Sequence, residues 1–143
     1  MASFDGKVLY TVYRIDGVPE FVTEPGRNVA SQAEYCVAIT IGSTTKMTPY
    51  GPSMSLAEPL EFELEGMLGG SRVLVEVMRR GDTERNLASK AHALKWFESR
   101  RTRRFSQNVI VMTLPRGIRV HLSCKWKLKG GNFRSLVYGL TTA

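Results

Sequence analysis

Four arginines fall within five positions near residue 100 and give this part of the chain a dense positive charge. They are Arg100, Arg101, Arg103 and Arg104, here called the arginine cluster, and Lys90, Lys95 and Trp96 precede them. Guanidinium groups bind phosphates and carboxylates through paired hydrogen bonds. Together these residues predict a docking patch for an anionic partner. The alternative is a solvated loop whose aromatic side chains pack inward.

Three kinds of partner could use such a patch. A protein partner would offer carboxylates. An anionic phospholipid membrane would attract basic side chains by roughly 1 kcal/mol each. A nucleic acid would combine phosphates with bases that stack on aromatic rings, although the sequence contains no motif of the common RNA-binding modules. We therefore rank a protein partner first, the membrane second and nucleic acid third.

The charge of the whole chain is uneven. Residues 1–71 hold four basic and nine acidic residues, and residues 72–143 hold sixteen basic and four acidic ones, so the two parts have formal charges of −5 and +12. The asymmetry favours an anionic partner for the second part. The alternative is that the two parts interleave in the fold and neutralise each other. An acidic row at Glu61, Glu63 and Glu65 adds the possibility of self-association with the arginine cluster of another copy.

The residues that most often perform catalysis are few and badly spaced for it. The two histidines are His92 and His121, and the two cysteines are Cys36 and Cys124. His121 and Cys124 fall on opposite faces of one predicted strand, and no spacing around the histidines resembles a zinc site. No nucleophile elbow, phosphate loop or dinucleotide fingerprint is present. We therefore expect no enzymatic activity, no cofactor and no metal.

Both cysteines lie in apolar or alternating runs, which predicts buried thiols. The N-terminal residues contain no apolar region of the kind found in signal peptides, and no apolar run approaches the roughly 20 residues that a membrane helix needs. The sequence thus predicts a cytoplasmic protein, with cytoskeletal or membrane association as further options.

The elements that must position these residues are mostly short strands with turns between them. Alternating or β-branched runs predict strands at 7–15, 60–64, 72–79, 108–114 and 118–128 and a hairpin at 34–48. Glycine and proline residues mark the loops between them. Residues 87–97 differ, because Leu87, Ala91, Leu94 and Phe97 have helical spacing, and this segment is predicted as one short helix or a loop.

These patterns predict an all-β fold, an antiparallel eight-stranded β-sandwich. The length of 143 residues fits one domain spanning 1–143, with its core at about 7–128.

In their order, these segments resemble a C2 domain. AEYCVAITIGSTTK (33–46) resembles the signature hairpin of the family, and AEPLEFELEG (57–66) resembles the strand that follows it. RVLVEVM (72–78) resembles the strand that leads into the third calcium loop, and GIRVHLSCKWKL (117–128) resembles the closing strand. The resemblance covers most of residues 7–128 and implies a C2-type sandwich.

The sequence departs from the family at the positions that hold calcium. Calcium requires six to eight oxygen ligands, which calcium-binding C2 domains supply mainly from loop aspartates. At the matching positions this chain has Ala33 and Glu34 after the first loop, and Arg79 and Arg80 before the third. Asp16 remains near the first loop, and Asp82 follows the arginines out of register. The resemblance therefore implies a degenerate calcium site, and a non-catalytic, calcium-independent module for protein–protein scaffolding or targeting.

Overall fold

We describe the chain from a computed structural model, which describes residues 3–23, 26, 28–56, 58–68, 71–81, 85–93, 109–128 and 133–135. The strands are β1 (Ser3–Asp16), β2 (Phe21–Val22), β3 (Ser31–Gln32), β4 (Tyr35–Ile41), β5 (Thr44–Met47), β6 (Glu58–Leu68), β7 (Arg72–Arg79), β8 (Arg85–Ala93), β9 (Val109–Thr113), β10 (Arg119–Leu128) and β11 (Phe133–Ser135). One turn of 3-10 helix, Pro115–Gly117, joins β9 to β10. The described residues include no α-helix. They likewise contain no helical segment of the length and apolar character that crossing a membrane requires.

Nine of the strands form two antiparallel sheets, and β2 and β3 pair with each other in a separate two-stranded sheet. In the first sheet β1 lies between β6 and β10, and the far edge of β10 pairs with β9 and then with β11. The second sheet has the order β5-β4-β7-β8. β9 and β11 pair with different parts of the same edge of β10, so together they occupy one position in the first sheet. Each of the two sheets is therefore four strands wide. The predicted eight-stranded, all-β sandwich is confirmed.

The inward faces of both sheets supply the hydrophobic core, as alternation predicts. Four rows of inward side chains are almost completely buried: Val8, Tyr10 and Val12; Val37, Ile39 and Ile41; Leu60, Phe62 and Leu64; Val73, Val75 and Val77. Cys36 and Cys124 are also buried. The predicted burial of both thiols is confirmed.

The predicted helix or loop at 87–97 is wrong where the structure describes it. Residues 85–93 form β8, which pairs with β7 along its whole length, and residues 94–97 lie outside the described part. A spacing of four residues fits a period of two as well as a helical period. Ala88 and His92 are buried on one face of this strand. Pairing with β7 therefore overrides the weak helical preference of an alanine-rich segment.

The connections after β1, β5 and β7 meet at one end of the sandwich, here called the loop end. Tyr35 at the start of β4 pairs with Arg79 at the end of β7 and also bridges Gly51. The amide of Ile15, near the end of β1, donates to the Ser53 carbonyl at 2.8 Å. Backbone pairing and hydrogen bonds therefore connect these three parts of the chain at the loop end.

Candidate functional site at the loop end

A salt bridge between Arg80 and Glu34 joins two of the loop-end connections. The Arg80 Nη1 atom lies 3.0 Å from the Glu34 Oε2 atom, and the backbone amide of Arg80 donates to the Glu34 carbonyl at 2.9 Å. Because β4 and β7 are paired neighbours, residues 46 positions apart in sequence are brought side by side. Both side chains are exposed, so the pair fixes the guanidinium more than it stabilises the fold.

The third connection contributes an aromatic ring to the same guanidinium. The Arg80 Cζ atom lies 5.5 Å from the centre of the Tyr50 ring, a distance at which a cation is attracted to the face of an aromatic ring. We call Arg80, Glu34 and Tyr50 the arginine clip. One positive charge therefore joins the connections that precede β4, follow β5 and follow β7.

Backbone hydrogen bonds hold the clip in place. Tyr35 and Gly51 exchange two hydrogen bonds, of 2.7 and 2.9 Å, and the hydroxyl of Thr48 accepts from the Val37 amide at 3.0 Å. The Tyr35 hydroxyl donates to the Pro19 carbonyl, which ties the first connection to β4. Its phenol has a raised pKa because it is partly withdrawn from water. These hydrogen bonds tie the described parts of the first two connections to β4.

Ala33 and Arg79, two other residues of the predicted degenerate calcium loops, belong to the framework around the clip. Ala33 is buried in the core, and its amide donates to the Glu20 carbonyl at 2.9 Å. Arg79 pairs with Tyr35 in the ladder between β4 and β7. The structure thus places Ala33, Glu34, Arg79 and Arg80 close together at the loop end, and their assignment to degenerate calcium loops stays a prediction.

Asp16 is directed elsewhere. Its Oδ2 atom lies 2.6 Å from the Nε2 atom of His121, and its Oδ1 atom lies 3.7 Å from the Nε atom of Arg14. The hydrogen bond with His121 is the main reason that the pKa of Asp16 is lowered below its ordinary value of 3.8, with Arg14 and Arg119 adding to the effect. The carboxylate is therefore ionised at neutral pH and is bound to β10.

Asp82, the sixth predicted loop residue, lies outside the described residues. Among the residues that are described, no group of three or more histidine, cysteine or acidic side chains is arranged to hold a metal ion. Two described carboxylates of the predicted calcium loops have protein partners, since Glu34 binds Arg80 and Asp16 binds His121.

Of the predicted anion-binding patch, the structure describes only Lys90. Lys90 lies on β8 and its Nζ atom donates to the Thr113 carbonyl of β9 at 3.2 Å, so it joins an edge of one sheet to an edge of the other. The arginine cluster, Lys95 and Trp96 lie outside the described residues, and the patch remains a prediction.

Sequence reasoning missed two features that the structure shows. Tyr50 sits in a loop, and nothing in its sequence surroundings marks it as an arginine partner. The outward face of β9 is the second feature, and there a signal exists: the run NVIVMTL is apolar at consecutive positions, whereas a strand with one wet face should alternate.

The two thiols and the two histidines are each buried or hydrogen bonded. Burial raises the pKa of the Cys124 thiol well above its ordinary value, and burial also raises the pKa of the neighbouring Tyr10 phenol. A neutral, buried thiol is a poor nucleophile. His92 is buried, and His121 is bound to Asp16.

Solved structures with this fold are known, although no protein-family model matches the chain and no curated protein matches it. The C2A and C2B domains of extended synaptotagmin 2 superpose with a TM-score of 0.64 and 14% identity, over 90% of this chain and 44% of that one. The calcium-bound form of that pair has a TM-score of 0.60 and 14% identity, over 89% of this chain and 48% of that one.

A single domain gives a similar result. The C2A domain of a plant extended synaptotagmin 1 superposes with a TM-score of 0.62 and 13% identity, over 90% of this chain and 98% of that one. This chain therefore spans less than half of the tandem structures and nearly all of a single C2 domain. At these identities the likeness shows the fold, and the chain has a C2-type fold, as the resemblance in the sequence predicted.

Proposed function

We propose that the chain is a non-catalytic, calcium-independent C2-type module that docks a protein partner. The observation that supports calcium independence is the arginine clip, in which a guanidinium lies among the three connections of the loop end. A divalent cation beside this fixed positive charge would be repelled. Glu34, the nearest carboxylate among the described residues, already binds Arg80 and would have to give up that partner.

Pairing of charges favours a protein over a bilayer. Three described basic side chains have acidic neighbours: Arg80 pairs with Glu34, Arg14 lies near Asp16, and Lys7 lies 3.5 Å from Glu63. Paired charges contribute little to attraction by an anionic surface. Recognition by shape and by local side-chain chemistry then remains, which suits a protein partner.

Peripheral membrane binding is the second candidate, because exposed apolar side chains lie on two loop-end connections. Phe21, Val29 and Met54 are 57%, 76% and 59% exposed. Such side chains could enter the interface of a bilayer, where apolar burial adds to electrostatic attraction. The arginine cluster, if exposed, would contribute to the same binding.

A sedimentation assay separates these functions. We expect the chain to remain in the supernatant with phosphatidylcholine vesicles and with phosphatidylserine-containing vesicles, in calcium and in chelator, and to leave single-stranded RNA unshifted in a gel. Sedimentation with anionic vesicles that is lost in Phe21→Ser/Met54→Ser or in the Glu-substituted arginine cluster would establish the membrane function instead. An RNA shift lost only in the cluster variant would establish nucleic-acid binding. Arg72→Glu, on an exposed strand position, is the matched charge control.

A further inference from the structure

Strand β9 has apolar side chains on both faces. Met112 points into the core and is 1% exposed, and Ile110 packs against the core, whereas Val109 and Val111 point outward and are 45% and 43% exposed. A sheet that faces water on one side places polar residues on that side. Two neighbouring valines on the outward face of this strand depart from that pattern and form an exposed apolar surface.

A bulge in β1 extends this apolar surface. Val12 pairs with Leu122 and Arg14 pairs with the next residue of β10, His121. Tyr13 therefore has no ladder partner on β10 and is the extra residue of the bulge. Bulges re-aim side chains, and here the Tyr13 hydroxyl lies 3.2 Å from the hydroxyl of Ser123 on the outward face of β10. Ser123 is only 3% exposed although it faces away from the core, while Tyr13 is 39% exposed.

The ladder places these side chains together. Ser123 pairs with Val109, and His121 pairs with Val111. We call Tyr13, Val109, Val111, His121 and Ser123 the β9 face. It has two exposed aliphatic side chains and one exposed ring around a polar floor whose groups are already hydrogen bonded, through Tyr13–Ser123 and His121–Asp16.

Positive charges border the β9 face. Arg119 and Lys125 stand at the two ends of the outward row of β10, six residues apart, and Arg14 lies beside His121. Six residues of strand span roughly 20 Å. The neighbouring carboxylate, Asp16, binds His121, lies near Arg14 and faces Arg119 in the ladder between β1 and β10. A basic side chain therefore stands at each end of an apolar centre, with Asp16 beside the one at the Arg119 end.

We propose that the β9 face docks an acidic, amphipathic segment of a protein partner, with aliphatic side chains over Val109 and Val111 and carboxylates beside Arg119 and Lys125. This inference rests on the proposed protein-docking function and names the surface and the chemistry of the partner. The spacing fits about six extended residues with acidic groups at both ends. A nucleic-acid strand would place phosphates over the apolar centre as well as its ends, and half-buried valines on a flat sheet do not reach into a bilayer.

Selection from a displayed library of random twelve-residue peptides tests this inference on the full chain. We expect the selected peptides to be enriched in aspartate, glutamate and aliphatic residues. In fluorescence anisotropy, Val109→Ser/Val111→Ser and Arg119→Glu should each raise the Kd of a selected peptide about tenfold. Phe21→Ser/Met54→Ser and Arg72→Glu should leave it unchanged. Circular dichroism and urea denaturation of each variant confirm that the fold is retained.

The outcomes separate the surface from the function. Acidic peptides that lose affinity in the β9-face variants and not in the controls support the inference. Peptides that are basic, or that lose affinity only in Phe21→Ser/Met54→Ser, overturn the β9 face and leave protein docking standing. Failure to select any peptide overturns the inference, and if the chain then binds anionic vesicles, protein docking itself is overturned as well. Light scattering that shows a dimer dissociated by Val109→Ser/Val111→Ser would assign the β9 face to a second copy and also overturn the inference.

Discussion

Substituting Gly17 by alanine is expected to lower the free energy of unfolding by about 2–5 kcal/mol. Gly17 has φ +82°, a backbone conformation that costs a residue with a Cβ about 1–2 kcal/mol. A Cβ at this position would lie 2.3 Å from the carbonyl oxygen of Gly117 and 3.2 Å from the Cα of Ile118. These are backbone atoms that cannot rotate away, so the clash adds about 1–3 kcal/mol of strain.

Gly26→Ala is the matched control for this prediction. Gly26 has nearly the same backbone angle, φ +83°, but nothing lies within 4 Å of the Cβ that alanine would add. It should cost about 1–2 kcal/mol, the conformational part alone. Urea denaturation of both variants measures the difference. Equal losses would mean that the first connection does not approach the β9–β10 turn as closely as described.

Substituting Phe62 by alanine is expected to lower the free energy of unfolding by about 3–5 kcal/mol. The ring is 1% exposed and packs edge-to-face on Tyr10, with centroids 6.2 Å apart and planes at 90°. The ammonium of Lys46 lies 5.7 Å from the centre of the same ring, so the side chain joins the core to the β5 edge. Truncation leaves a cavity between the sheets and removes both aromatic contacts.

Glu63→Ala is the control on the opposite face of the same strand. Glu63 is exposed, and its contact with Lys7, 3.5 Å, is a surface ion pair. We expect a change within about 0.5 kcal/mol. Urea denaturation measures the free energy of unfolding of both variants, provided that their m-values equal that of the unsubstituted chain. A loss at Glu63 as large as that at Phe62 would contradict the alternation assigned to β6.

The sequence predicts the strands because burial on one face of a sheet leaves a period of two. Leu60, Phe62 and Leu64 alternate with glutamates, and the structure buries the first set and exposes Glu61 and Glu63. The segment at 87–97 failed because Leu87 and Ala91 stand four residues apart, a spacing that fits both a period of two and a helical period. Pairing with β7, a contact distant in sequence, decides between them.

The sequence predicts several of the side chains that lie at the loop end, but it does not predict which side chains they contact. Comparison with the C2 pattern predicts that the arginines at 79 and 80 replace acidic ligands, and this stays a prediction. Their partners could not be predicted, because Glu34 is 46 residues from Arg80, and Tyr50 lies in an irregular connection. The pairing of Asp16 with His121, 105 residues away, likewise depends on the register of β1 against β10.

The C2-type fold itself accommodates calcium, as the calcium-bound tandem domains of extended synaptotagmin 2 show for that protein. The difference proposed for this chain therefore lies in a few side chains of the loop end and not in the backbone. The proposed function attributes calcium independence to the guanidinium of Arg80, which occupies this end of the sandwich beside Glu34 and Tyr50.

Calorimetric titration of calcium into the chain, paired with thermal unfolding in calcium and in chelator, tests the arginine clip most directly. We predict heats equal to those of dilution and the same Tm in both conditions, with magnesium as the control for ionic strength. A bound ion at a hundred times its Kd would add about 2.7 kcal/mol to the folded state. Saturable heats with a matching rise in Tm would show that oxygen ligands, and not the guanidinium of Arg80, govern this end of the sandwich.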